Sequence, residues 1–94
     1  MEKRGLVYYR NYFSDFYFSQ NQQVQAKIAW TLEVIRGMDK IPKQYLKYIS
    51  GTDGLYQIRV QTGGNTFRIF CFFDKSRIII CHGFQKKTEK NSAK

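Results

Sequence analysis

At 94 residues the chain is the length of one domain, and with 43% hydrophobic and 17% aromatic residues it is far too apolar to be disordered. Sixteen Lys and Arg against seven Asp and Glu give a net charge of +9, which favours a polyanionic partner, nucleic acid first. Met1-Glu2-Lys3-Arg4 is followed by no long apolar run and no stretch approaches membrane-spanning length, which predicts a cytoplasmic protein without a secretory leader.

Gly5 to Tyr9 is short, apolar and β-prone, and reads as a first strand. Asn11 or Ser14 then caps a helix that runs to about Ser19, with Phe13, Phe16 and Tyr17 on one side. Asn21 breaks it. A second helix is predicted from about Gln22 to Arg36, where Val24, Ile28, Leu32 and Ile35 form an apolar stripe. Trp30 and Val34 widen that face as core packing, and Gly37 ends the helix. Pro42 is expected to open a short helical turn anchored by Tyr45, Leu46 and Ile49, with Lys43 and Lys47 exposed. Ser50 to Gly54 is a turn cluster.

Three strands follow. Leu55 to Gln61 alternates, with Tyr56, Ile58 and Val60 on one face and Gln57, Arg59 and Gln61 on the other. Gly63-Gly64 signals a hairpin. Thr66 to Phe73 is apolar on both faces except for Arg68, as a central strand would be. After the turn at Asp74 to Arg77, Ile78 to Phe84 forms the third strand, with Ile80, His82, Phe84 and Lys86 at one parity. Residues 87–94 are expected to fray. Cys71 and Cys81 lie in apolar strands, where reduced buried thiols are expected; a disulfide is open to them if their strands pair closely.

The cations on these strands carry the chemistry. With a two-residue turn at Gly63-Gly64, Val60 faces Phe67 and Arg59 faces Arg68. Directly opposed like charges are unfavourable unless an anion sits between them. A phosphate satisfies that geometry, and Arg grips it with two parallel hydrogen bonds where Lys cannot. Lys86 and Lys87 follow the third strand. His82, the lone histidine, is most often a structural residue in such a setting, but it also suits proton transfer near neutral pH. The seven acids sit in helices, turns or the tail and form no pair for acid–base work. One His and two strand Cys make no zinc set, and no phosphate-cradling glycine loop precedes a helix. A metal-free, cofactor-free site acting through positioned cations is therefore predicted.

Asp53-Gly54-Leu55-Tyr56-Gln57-Ile58-Arg59-Val60, then Phe67-Arg68-Ile69-Phe70, then His82-Gly83-Phe84-Gln85-Lys86-Lys87-Thr88 resembles the RelE/ParE toxin superfamily. The phage-derived, HigB-like branch is the nearest in pattern, over roughly Phe13 to Thr88. The resemblance implies a single α+β domain: an N-terminal strand and a two-helix hairpin packed on a twisted antiparallel β-sheet. It also implies the toxin of a type II toxin–antitoxin system. Nuclease members of the superfamily act in the ribosomal A site, where the message's 2′-hydroxyl attacks the adjacent phosphate without a metal. Carried over, Arg59, Arg68 and Lys87 are catalytic cations and Lys86 an RNA contact. Beside them, the residues themselves offer His82 as a proton carrier and Lys43, Lys47 and Gln57 as further RNA contacts. This sequence departs from that pattern at Gln57, where a nuclease relative has lysine, and its last tyrosine is Tyr56, although some relatives use one near the C-terminus.

The expected function is a ribosome-dependent mRNA endoribonuclease, held in check by a cognate helix-turn-helix antitoxin encoded alongside it. The alternative on the same fold is a ParE-like, non-enzymatic inhibitor of DNA gyrase. A basic nucleic-acid-binding domain without toxicity is the third reading.

Overall fold

The computed structural model describes residues 3–86. In chain order the elements are β1 (Gly5–Tyr8), α1 (Tyr12–Phe18), α2 (Gln22–Gly37), β2 (Leu46–Tyr48), β3 (Leu55–Thr62), β4 (Asn65–Asp74) and β5 (Arg77–Lys86). The strands form one sheet in the order β1-β5-β4-β3-β2. β2 to β5 pair antiparallel, and β1 joins in parallel along β5. The sheet is thus mixed, in an α+β architecture whose two helices cover one face.

Each helix forms for a local reason. In α2 the stripe of Val24, Ile28, Leu32 and Ile35 is buried, and burying each such side chain contributes roughly 1.5–3 kcal/mol. Asn21 does more than end α1: its Oδ1 accepts from the Val24 N–H at 2.9 Å and caps α2. At the other end Arg4 donates to the carbonyls of Ile35 and Met38, placing a cation at the negative pole of the helix. In α1 the Asn11 side chain makes no capping bond, and Ser14 Oγ donates back to the Asn11 carbonyl at 3.1 Å. Phe13 and Phe16 lead this helix onto β5 and β4, with the Phe16 ring 6.3 Å from that of Phe67.

The core lies between the helices and the inner sheet face. Ile58 and Val60 of β3, Phe67, Ile69 and Cys71 of β4, and Ile78 and Ile80 of β5 meet Ile28, Leu32 and Ile35 there. Gly83 makes the closest approach. A Cβ at this position would sit 2.6 Å from a ring carbon of Phe16, a ring held by Phe13 and Phe67. Gly83→Ala is expected to destabilise the protein by about 1–3 kcal/mol through overpacking. Thermal melting would register this as a fall of roughly 4–8 °C per kcal/mol.

Three features differ from the sequence expectations. The segment after Pro42 is not helical: Tyr45 and Leu46 donate to the Pro42 carbonyl in a turn, and Leu46–Tyr48 then pairs with Tyr56–Ile58 as β2. Sheet-edge pairing outweighs the weak helical signal there. Trp30 is 49% exposed and only edges onto Tyr45, with the Lys27 ammonium 4.7 Å above its ring, so it is not a core residue. Finally, the β4–β5 register shifts at Phe70/Cys71, leaving Cys81 as an extra residue on β5. The bulge turns Ile78 and Ile80 to the core and His82, Phe84 and Lys86 to the opposite face, so the shared parity of Ile80 and His82 does not place them together.

Candidate nucleic-acid interface

Among the described residues the outer sheet face is left uncovered by the helices, and the register lays out what stands on it. Across β3, β4 and β5 the rows run Gln61–Thr66–Lys86, then Arg59–Arg68–Phe84, then Gln57–Phe70–His82, with Lys47 of β2 beside Gln57. Successive rows lie two strand residues apart, about 7 Å. The hairpin that sets this register is the two-residue turn predicted from sequence. Gly63 and Gly64 take φ values of 60° and 81°, positive at both positions as such a turn requires.

Arg59 and Arg68 are direct cross-strand partners. Their repulsion is on the order of 1 kcal/mol, and no carboxylate relieves it among the described residues. Among the described residues the ion pairs join Lys3 and Arg36 to Glu33, on α2, and Arg77 to Asp74, at the far end of β4 three rows from Arg68. Arg4 is spent on the end of α2. Arg4, Arg36 and Arg77 thus do structural work that the sheet-face pair does not. Arg68 Nη1 donates to Gln57 Oε1 at a long 3.4 Å, while its buried Nε has no partner among the described residues. A buried donor left unmade costs about 1–3 kcal/mol, which an incoming anion would recover.

The other candidates divide. Lys47, Lys86 and His82 share the arginine face, while Gln57 is nearly buried and orients Arg68. Lys43 is exposed in the turn before β2, outside the rows. Lys87 lies outside the described residues, as does the tail expected to fray. No three His, Cys, Asp or Glu side chains gather into a metal-holding group among the described residues. Cys71 and Cys81 are free thiols. Burial pushes the Cys71 thiol up to about 12, with Cys81 adding to the rise, and burial raises Cys81 as well, so neither is a ready nucleophile at neutral pH.

Aromatic residues are what the sequence reading of this face missed. Phe70 and Phe84 pack at 5.2 Å beside Arg68, and Phe72 and Phe84 remain 38% and 37% exposed. The signal was present as Arg68, Phe70 and Phe72 at alternate positions of β4. It was masked because that strand reads as buried on both sides.

Fold and face together define an α+β protein with an arginine pair on an open, aromatic-bearing sheet. Residues 15–94 match the family described as phage derived protein Gp49-like (DUF891), and the chain belongs to that family. No curated protein matches it. Among solved structures the chain is similar to one in the RelB–RelE antitoxin–toxin complex from Methanococcus jannaschii. The TM-score is 0.62 at 16% identity, covering 84% of this chain and 88% of that one. At that identity the likeness is one of fold.

Proposed function

We propose that this protein is the toxin of a type II toxin–antitoxin pair, a HigB-like, metal-independent endoribonuclease that cuts messages on the ribosome. The observation that carries the reading is the Arg59–Arg68 pair, directly opposed on the open face and without a carboxylate partner among the described residues. Membership of the Gp49-like family and the fold shared with a RelB–RelE complex support it.

In this reading the two guanidiniums hold the scissile phosphate. The message's 2′-oxygen forms a bond to phosphorus and gives up its proton. The bond to the 5′-oxygen breaks, and that oxygen takes a proton as it leaves. The products are a 2′,3′-cyclic phosphate and a 5′-hydroxyl. The extra charge on the phosphoryl oxygens in transit is what positioned cations stabilise. His82, one row from the arginines, is the proton carrier, and Lys87 neutralises the leaving side. Lys43, Lys47 and Lys86 hold the flanking backbone, and Gln57 acts through its bond to Arg68. A helix-turn-helix antitoxin would cover this basic face. The proposed setting is the cytoplasm. No helix among the described residues is long and apolar enough to cross a membrane.

In vitro translation in the presence of the protein tests this. Codon-phased cuts ending in 5′-hydroxyls are expected, with none on the same message without ribosomes. Uncut messages, together with stoichiometric inhibition of DNA gyrase supercoiling, would move the assignment to the non-enzymatic alternative.

A further inference from the structure

Beyond the arginine row, at the β1–α1 end of the open face, Tyr9, Tyr12, Phe72, Cys81 and His82 line a shallow hollow of about 410 Å³. This is within the size range of small-ligand sites. Tyr9, Tyr12 and Phe72 are 49%, 50% and 38% exposed, an unusual outlay of aromatic surface for so small a protein. The Tyr12 ring stands edge-on to His82 at 6.0 Å, and the Arg10 guanidinium lies 5.2 Å from the centre of the Tyr9 ring. Arg10 holds that place from a left-handed backbone (φ 56°), a conformation that non-glycine residues rarely adopt. The β5 bulge at Cys81 both opens the hollow and turns His82 towards it.

We propose that this hollow is a nucleobase-stacking subsite for single-stranded RNA, receiving a base of the strand whose phosphate Arg59 and Arg68 hold. The inference rests on reading the arginine face as RNA-binding, and it adds where the neighbouring base goes. Three features select RNA over a protein segment. The aromatic rings are continuous with the cation rows through Phe70 and His82 on adjacent strands. Arg10 supplies a cation at the far rim, where a flanking phosphate would pass. The lining pairs flat π-faces with a ring-nitrogen edge, which matches a base that stacks and is read on its rim. Double-stranded RNA offers no free base face, so an unpaired strand is required.

The test is fluorescence anisotropy with two labelled probes of equal length and charge, oligouridylate and an abasic ribose-phosphate oligomer. Tyr12→Ala and Phe72→Ala are each expected to weaken oligouridylate binding about 10-fold, the loss of one stacked base. Binding of the abasic probe should hardly change, and Tyr12→Trp, which keeps a stacking face, should bind like the parent. Arg68→Ala should weaken both probes alike. Equal binding of oligouridylate by the parent and by Tyr12→Ala overturns the subsite, even if phased cleavage on ribosomes is intact. Stacking-dependent binding without phased cleavage leaves the subsite standing and removes only the nuclease reading. Unchanged RNA affinity with weakened antitoxin affinity in Tyr12→Ala would assign the hollow to the protein partner and overturn the proposal.

Discussion

Arg68→Met is expected to cut the single-turnover rate of message cleavage by about 100- to 1,000-fold, the usual cost of losing one positioned transition-state donor. The fold should remain as stable as the parent to within about 1 kcal/mol, because opposing terms nearly cancel. Methionine retains most of the arginine stem's packing. It removes the repulsion with Arg59 and the partnerless buried Nε, and it leaves Gln57 Oε1 without its donor. An arginine present for stability would behave in the opposite way, with a lower melting temperature and unchanged cleavage. Arg68→Lys sharpens the contrast: it keeps the charge but loses the bidentate fork, so cleavage should stay well below the parent. The double variant with Arg59→Met should lose little more than the worse single, because the proposed mechanism sets both guanidiniums on one phosphate as a unit. Thermal melts beside ribosome cleavage assays read both quantities, and a destabilised Arg68→Met that still cleaves normally would refute the role.

The sequence carried that pair legibly, and the reason is local. A Gly-Gly turn with both residues at positive φ fixes the register of the strands it joins, so counting outward from it places Arg59 across from Arg68. The same kind of counting failed on β5, because a bulge at Cys81 reverses the face and no residue there announces it. β2 escaped for another reason. Three residues are too short to show a period, and what makes them a strand is the exposed edge of β3. The parallel docking of β1 on β5 joins segments about seventy residues apart, a pairing that composition and spacing do not encode. The aromatic hollow is hidden in the sequence because β4 has the apolar pattern of a strand buried on both faces, whereas among the described residues the helices cover only one face of the sheet and leave Phe70 and Phe72 on the other.

Phe67→Ala should abolish activity by a different route, through the fold. Phe67 is 2% exposed, pairs with Val60 across the hairpin, and meets Phe16 beneath the arginine row. Truncating a buried Phe to Ala costs about 3–5 kcal/mol in transfer and cavity terms. A domain of this length has roughly 5–14 kcal/mol to lose, so the variant should be partly unfolded at growth temperature. Urea melts should show a lower midpoint, and Phe67→Leu, which fills most of the space, should lose far less. Because an antitoxin that binds only the folded form stabilises it by mass action, co-expression with the proposed antitoxin should restore the soluble yield of Phe67→Ala. It should do nothing for the cleavage defect of Arg68→Met, whose fold is already intact. An alanine variant that melts with the parent would show that the core between α1 and the hairpin is not what keeps the sheet beneath Arg59 and Arg68 folded.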